Sequence, residues 1–266
     1  MRAAVVGHVE WVQFAEVDRI PDQGEIVSAS SWWEEPAGGG SVAAVRLAEL
    51  CGECTFFTAL GDDVHGHRAR ERLEALGVRV EAAFRDEPQR RGFTFVDRDH
   101  ERTITLLGPK IHPHGTDKLP WDELAGVDAV YVCAGDVQAI RNARTARTVV
   151  ATARELPTLR EARVELDALV ASEDDPAERY REGDIEPAPK LVVRTSGSEG
   201  GSYEPGRGSW PPADVPGSVR DAYGAGDSFA AGLTFALASG RAPAEAVRVA
   251  AEQGALALTR RGAHGR

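Results

Sequence analysis

The stretch Asp221-Ala222-Tyr223-Gly224-Ala225-Gly226-Asp227-Ser228-Phe229 leads directly into an apolar segment of the chain. The apolar residues of that segment recur at helical spacing, and they are Phe229, Leu233, Ala236 and Leu237. Gly240 follows as a C-terminal stop signal. A turn of small residues before a helix leaves several N–H groups unpaired at the positive end of the helix dipole. The stretch therefore predicts a helix whose first turn suits an anion.

Asp227 falls in the first turn of this predicted helix. A carboxylate there can simply cap the helix. If it faces a bound anion instead, it is poorly placed to bind that anion and well placed to accept a proton. A kinase needs this combination, with backbone donors for the transferring phosphoryl group and a carboxylate for the attacking hydroxyl. From these residues alone, both the capped helix and the phosphoryl-transfer site remain open.

The segment from Asp221 to Asp227 resembles the D-T-x-G-A-G-D signature of the ribokinase-like (PfkB) sugar kinases, with Ala222 where threonine is usual. Matching segments run from residue 4 to about residue 262. The resemblance implies that Asp227 is the general base and that the backbone of Gly224, Ala225 and Gly226 forms the anion hole. It also implies ATP and Mg²⁺ as cofactors and allows a monovalent cation, K⁺, near Asp221.

The predicted fold is α/β, a ribokinase-like three-layer α/β/α arrangement with a central, mostly parallel sheet plus a small β-sheet lid. Short apolar runs such as 3–7, 129–133 and 148–152 are typical of buried parallel strands alternating with helices. Residues 1–266 are expected to form one kinase domain. The lid is expected from about 11–36 and 80–108, where the pattern is extended or alternating. The resemblance makes this lid a candidate homodimer surface.

The bulk composition fits a globular protein that acts on a small molecule. Of 266 residues, 42% are hydrophobic and 27% are charged, and the net charge is −11. Such an acidic chain is unsuited to nucleic acid, which demands basic patches. No apolar run approaches the roughly 18 residues of a membrane span, and no signal peptide pattern opens the chain. A cytoplasmic protein without a membrane partner is expected.

Cysteine and histidine do not form a convincing metal or redox motif. Cys51 and Cys54 have C-x-x-C spacing but lack a second pair, and Cys133 stands alone. Three unevenly spaced cysteines do not make a disulfide framework, so a structural role is expected for them. The histidine pairs at 65/67 and 112/114 are expected to face solvent, with no metal bound.

The substrate side departs from the usual pattern of the family. Alignment on Gly7 and Val17-Asp18 places Val12 where the family has a substrate-binding aspartate, so Glu10 is a candidate replacement or else a surface glutamate. Gly38, Gly39 and Gly40 match the glycines that hold sugar hydroxyls, although they could also form a hinge. The usual asparagine on the next helix is replaced by Val42. These two valines predict a less hydrophilic pocket, and one of Trp32 and Trp33 could line it.

The nucleotide side is only partly preserved. Ser172 and Asp175 stand where the family has N-x-x-E, so Asp175 is the candidate carboxylate for water-mediated Mg²⁺, with a plain acidic loop as the alternative. The resemblance places Thr195, Gly197 and Gly200 beside the nucleotide phosphates, together with Gly224 and Gly226. It places the last helix, with Gly254, and the loop 261–263 beside the adenine.

The resulting hypothesis is an ATP-dependent kinase that phosphorylates a hydroxyl, expected to be primary, of a sugar or sugar-like molecule. The first alternative is a nucleoside kinase of the same family, which a more apolar pocket would suit. The second is a non-catalytic ligand-binding member, because two substrate positions and the N-x-x-E motif deviate. The identity of the substrate is left open by the sequence.

Overall fold

The computed structural model describes residues 1–265 as thirteen strands and six α-helices, with short 3₁₀ turns between them. The helices are α1 (Gly39–Cys51), α2 (Val64–Ala75), α3 (Val137–Ala143), α4 (Leu156–Ala162), α5 (Ala225–Ala238) and α6 (Pro243–Ala257). The strands are β1 (Ala3–Val6), β2 (Glu10–Glu16), β3 (Ser31–Ala37), β4 (Cys54–Gly61), β5 (Val78–Arg85), β6 (Arg91–Val96), β7 (Arg102–Leu107), β8 (Ala129–Val132), β9 (Thr148–Thr152), β10 (Ala168–Ser172), β11 (Val192–Thr195), β12 (Gly201–Glu204) and β13 (Gly208–Trp210).

The main sheet has nine strands in the order β13-β12-β11-β10-β9-β8-β1-β4-β5. Seven of them run parallel, and the β12–β13 hairpin closes one edge in antiparallel fashion. Strand β1 lies between β8 and β4, and its Val5 stands between Phe56 and Tyr131. The short apolar runs of the sequence are explained by this arrangement, because a parallel strand covered on both faces has no solvated side.

Helices cover both faces of the main sheet. In β1, Ala3 and Val5 belong to a core cluster shared with residues of α1, α2, α5 and α6, whereas Ala4 and Val6 belong to a second cluster shared with α3 and α4. Successive side chains of a strand point to opposite faces, so the two clusters lie on opposite sides of the sheet. The predicted three-layer α/β/α fold with a large, mostly parallel sheet is therefore confirmed.

The second sheet has four strands in the order β3-β2-β6-β7. We call it the lid sheet. Its limits differ from the predicted ones, because residues 78–85 pair in parallel with β4 at the edge of the main sheet rather than joining the lid. Alternation of apolar and polar residues predicted the strand correctly but not its partner, since an edge strand with one solvated face has the same pattern. A homodimer through the lid sheet stays a prediction.

No helix in the part of the chain covered by residues 1–265 is long and apolar enough to cross a membrane. The cytoplasmic location stays a prediction.

Candidate active site

A cavity of about 760 Å³ lies between the lid sheet and the carboxyl ends of the central strands. One wall consists of residues at the ends of successive parallel strands: His8 after β1, Cys133 after β8, Thr152 in β9, Ser172 in β10 and Thr195 in β11. This edge of an open parallel sheet is the usual place for a ligand. The lid contributes Arg102, Ile104 and Leu106, which alternate along β7 and so share one face.

The helix start predicted at residue 224 lies in this cavity. Gly224 precedes α5 in the left-handed conformation (φ 73°), and no side chain caps the helix. The first backbone bond of the turn runs from Ser228 N–H to Gly224 O over 2.8 Å. The N–H groups of Ala225, Gly226 and Asp227 therefore precede the helical ladder and have no acceptor within the helix. Gly224 and Gly226 both border the cavity, and Gly226 is exposed.

Asp227 stands beside these N–H groups, in the first turn of α5, and its half-buried side chain forms part of the cavity wall. Burial raises the pKa of its carboxyl to about 7, and the nearby charge of Glu178 adds to this. Arg102, Arg154 and Glu10 also act on it, the two arginines lowering the pKa and Glu10 raising it. A carboxylate with a pKa near neutrality can accept a proton and release it again.

The start of α1 closes the cavity next to Asp227. Gly38 lies at φ 85°, and its N–H donates to the hydroxyl of Tyr223 over 3.1 Å. A Cβ at Gly39 would lie 2.6 Å from Oδ1 of Asp227 and therefore cannot be accommodated without movement of the carboxylate. The predicted glycines 38 and 39 border the cavity, but Gly40 does not. A side chain at Gly40 would collide with the backbone of His8 and with Phe56, so Gly40 serves packing.

The end of the cavity that is predicted to take the substrate is bordered by charged side chains, so its lining gives no support to the prediction of a less hydrophilic pocket. Glu10 borders it as predicted and forms a 3.3 Å ion pair with Arg90. Burial raises the pKa of Glu10 and lowers that of His8 to about 3, so His8 is neutral and its buried Nδ1 has no hydrogen-bond partner. Lys110 stands nearby, paired with Glu155 over 2.6 Å.

The two valines that motivated the apolar-pocket prediction do not reach the cavity. Val12 and Val42 are buried in one small cluster together with Tyr223, and only Tyr223 borders the cavity. Neither tryptophan of the pair borders the cavity: Trp32 is exposed, whereas Trp33 stacks on Phe14 at 4.9 Å and under Arg261 at 3.9 Å.

At the end of the cavity that is predicted to take the nucleotide, Asp175 and Thr195 border the cavity together with Glu178, which the sequence did not single out. Arg154 bridges the two acids, since its Nη2 lies 2.5 Å from an oxygen of Asp175 and 2.5 Å from one of Glu178. Two adjacent carboxylates are the usual protein share of a Mg²⁺ site that keeps several waters, so these residues fit the ion that the resemblance implies. No group of three or more metal-ligating side chains occurs among residues 1–265.

Other predicted nucleotide residues shape the elements around the cavity without bordering it. A Cβ at Gly200 would collide with the carbonyl of Trp210, and Gly197 (φ 47°) lies in the turn before β12. Gly254 of α6 packs on the start of α5, where its Cβ would lie 3.4 Å from Ala225 O. The small residues of α6 are thus explained by helix packing at this point. Ala225 itself does not border the cavity.

Asp221 is fully buried outside the cavity and organises the signature loop. Its two carboxylate oxygens accept the N–H groups of Tyr223 (2.7 Å) and Gly262 (3.0 Å). The loop 261–263 thus packs against the signature loop and, through the N–H of Ala263, against Glu35 in β3. Cation binding by Asp221 stays a prediction.

The cysteines have the structural character expected from the sequence. Cys51, Cys54 and Cys133 are free thiols, and burial raises the pKa of each, that of Cys51 to about 11. Thiols that stay protonated are poor nucleophiles and poor metal ligands.

The sequence of the chain was compared with family models and with known proteins. A family model described as pfkB family carbohydrate kinase matches residues 2–158 and 157–265. An ATP-dependent ribose-1-phosphate kinase of Halopiger xanaduensis is 28% identical over 281 residues, covering 99% of this chain and 94% of the relative.

Solved structures give the same picture of the fold. A provisionally assigned ribokinase from Agrobacterium tumefaciens superposes with a TM-score of 0.82 at 21% identity, over 99% of this chain and 93% of the other. Arabidopsis thaliana ribokinase, solved with ribose and ATP, gives a TM-score of 0.74 at 22% identity, over 98% and 93% of the two chains. At these identities, the two structures bear on the fold alone.

Proposed function

Since the chain belongs to the pfkB family of carbohydrate kinases, we propose that it transfers the γ-phosphoryl group of ATP to a primary hydroxyl of a sugar that already carries a phosphate. The observation that carries the proposal is the position of Asp227 in the cavity wall, beside the unpaired N–H groups at the start of α5. The basic side chains at the lid end favour an anionic sugar over a neutral one. The relative named as a ribose-1-phosphate kinase supports the same choice.

The reaction assigns one role to each part of the cavity. The acceptor hydroxyl lies against Asp227, which takes its proton as the oxygen forms a bond to the γ-phosphorus. The bond from that phosphorus to the bridging oxygen of ATP breaks, and ADP leaves. The N–H groups from Gly224 to Gly226 stabilise the charge on the transferring group, because they are already oriented before the reaction. Glu10, Gly38 and Gly39 border the cavity, and in this proposal they hold sugar hydroxyls.

The nucleotide phosphates lie towards Thr195 and Arg154 in this proposal. Asp175 and Glu178 would hold Mg²⁺ through water, and the ion supplies charge neutralisation at the phosphates. Arg154 keeps the two carboxylates together and adds positive charge at the same place. A monovalent cation near Asp221 is an optional addition, tested by comparing rates in potassium and in tetramethylammonium salts.

The proposal is tested with a substrate panel. The purified protein, ATP and Mg²⁺ are incubated with ribose 1-phosphate, ribose 5-phosphate, ribose, fructose and adenosine, and ADP release is measured. We expect the highest kcat/KM with ribose 1-phosphate. Preferred turnover of adenosine would favour the nucleoside kinase. The absence of ADP release with every compound, together with a rise of Tm with one of them, would favour a non-catalytic ligand-binding protein.

The activity is expected to depend on pH through Asp227. Its pKa in the free protein is raised to about 7, and only the ionised form can accept the proton. Below this pH, kcat/KM should therefore fall about tenfold per pH unit, and it should level off above it. The measurement is kcat/KM for the acceptor between pH 5 and 9 with saturating ATP. A profile that stays flat down to pH 5 would contradict the assignment of the base.

Gly39→Ala is expected to displace the carboxylate of Asp227 while leaving distant parts of the fold unchanged. The new methyl would lie 2.6 Å from Oδ1 of Asp227, so the carboxylate must move. Displacement of a catalytic group by about 1 Å can cost on the order of 10²-fold in rate. Gly217→Ala serves as the control, because its Cβ meets only Thr259 at an ordinary 3.6 Å. Equal kcat values for the two variants would contradict the close approach of α1 to the base.

A further inference from the structure

The charged side chains that border the cavity are balanced in number. The acidic ones are Glu10, Asp175, Glu178 and Asp227, and the basic ones are Arg90, Arg102, Lys110 and Arg154. A net attraction for a substrate anion therefore depends on which basic groups lack a carboxylate partner, because a paired cation is already largely neutralised.

Three of the four basic groups are paired. Arg154 contacts Asp175 and Glu178, Arg90 contacts Glu10, and Lys110 contacts Glu155. Arg102 forms no ion pair with any carboxylate in residues 1–265. Its guanidinium donates to the carbonyl of Ala222 and lies 5.8 Å from the centre of the Tyr223 ring. A carbonyl oxygen and a ring face are weaker partners for a guanidinium than a carboxylate or a phosphate.

Arg102 also borders the cavity from the lid sheet. It opens strand β7, the exposed edge of the lid sheet, and shares the cavity-facing side of that strand with Ile104 and Leu106. Its present contacts, Ala222 and Tyr223, belong to the signature loop immediately before the anion hole. A phosphate held by Arg102 would thus lie on the lid side of the signature loop, away from the nucleotide end at Thr195 and Asp175.

We propose that Arg102 binds the phosphate that the sugar substrate already carries, and that this contact selects phosphorylated sugars over neutral ones. The inference rests on the proposed function for the class of acceptor, but it concerns binding rather than transfer. The planar guanidinium can donate two parallel N–H bonds to phosphate oxygens, which a neutral sugar cannot accept in the same way. The contact also joins the lid strand to the substrate, so that binding fixes the lid over the site.

The inference is tested by equilibrium binding in the absence of ATP, using isothermal titration calorimetry with ribose 1-phosphate and with ribose. Loss of a charge-assisted hydrogen bond corresponds to about a tenfold or greater rise in Kd. Arg102→Ala should therefore raise the Kd of ribose 1-phosphate about tenfold or more and leave the Kd of ribose within about twofold. Arg102→Lys, which keeps the charge, should recover part of the loss.

Arg98→Ala is the matched control. Arg98 lies in the same β6–β7 hairpin, but it contacts the carbonyl of Asp18 and does not border the cavity. It should leave both dissociation constants unchanged. A fall in Tm shared by Arg102→Ala and Arg98→Ala would indicate a less stable hairpin rather than a lost phosphate contact. The inference is decided by the ratio of the Kd of ribose to the Kd of ribose 1-phosphate.

The failures of the two proposals are distinguishable. The inference is overturned if the wild-type protein binds ribose 1-phosphate no more tightly than ribose. It is also overturned if Arg102→Ala weakens the binding of both ligands equally, or the binding of neither. Tight, Arg102-dependent binding of ribose 1-phosphate without ADP release on addition of ATP and Mg²⁺ supports the inference and overturns the proposed function. Turnover of ribose 1-phosphate that Arg102→Ala leaves unchanged supports the proposed function and overturns the inference.

Discussion

Replacing Asp227 with asparagine is expected to lower kcat/KM for the acceptor by about 10²- to 10⁴-fold, which is the usual contribution of a positioned general base. Asparagine keeps the size and polarity of the side chain but cannot take the proton. The binding of ATP should change little, because the nucleotide end at Thr195 and Asp175 is untouched. The measurement is kcat/KM for the best acceptor of the panel at pH 8, with KM for ATP determined alongside.

The same variant is not expected to lose stability, although it is expected to lose activity. The carboxyl of Asp227 titrates near pH 7 in the folded protein against 3.8 for an ordinary aspartate. Between these values the unfolded state is ionised while the folded state holds the proton, so this group lowers the free energy of unfolding as pH rises from about 4 to 7. Above pH 7 the folded state carries a disfavoured charge. Asp227→Asn removes that charge, so Tm at pH 8 should be equal to or above the wild-type value.

A matched control separates the catalytic effect from a general effect of charge removal. Asp86 is an exposed aspartate in the loop before the lid strand β6, away from the cavity. Asp86→Asn should leave kcat/KM and Tm near their wild-type values. Undiminished turnover by Asp227→Asn, or an equal loss with Asp86→Asn, would show that residue 227 is not the base.

The second large effect is expected from two glycine variants that differ in where a methyl group falls. Gly226 is helical and exposed, and a Cβ there meets no protein atom within 4 Å. Gly226→Ala should therefore fold normally, and Tm should hold or rise slightly because alanine favours a helix. The methyl would occupy the cavity side of the anion hole. Since loss of a single donor to a developing charge costs about 10²- to 10³-fold, kcat should fall by a comparable factor.

For Gly224→Ala, the larger expected effect is on stability rather than on kcat. Gly224 has a φ of 73°, and its Cβ would lie 2.9 Å from Cγ1 of buried Val42. Backbone strain and overpacking together should lower the free energy of unfolding by about 1–3 kcal/mol. The experiment measures Tm and kcat for both variants. Loss of stability in Gly226→Ala with unchanged kcat would contradict the placement of the anion hole.

The loop that we propose as the anion hole and the carboxylate that we propose as the base could be located from the sequence because they are contiguous. Small residues at 224–226, a carboxylate at 227 and helical spacing from 229 onwards all lie within a few residues, so local chemistry specifies the turn, the helix start and the position of the acid. The parallel sheet could be predicted for a similar reason, because burial on both faces leaves a continuous apolar run in each strand.

The substrate end could not be predicted in the same way. Arg90, Arg102 and Lys110 reach the cavity from the lid and its return loop, and they are unremarkable in sequence among 31 basic residues. The expectation of a less hydrophilic pocket rested on Val12 and Val42, but the fold buries both valines in one small cluster with Tyr223, and only Tyr223 borders the cavity. Glu178 was missed because a 3₁₀ turn after Asp175 brings it to the cavity.

The sequence by itself determined the α/β class with its parallel sheet and the position of Asp227 after a turn of small residues at the start of α5, since each of these depends on neighbours along the chain. Only the tertiary structure decided which charges face one another across the cavity and which cation is left without a partner. The reason is physical: pairing of charges depends on distance and burial between residues that are far apart in the sequence, such as Glu10 and Arg90, whose charged groups lie 3.3 Å apart. No local pattern contains those distances.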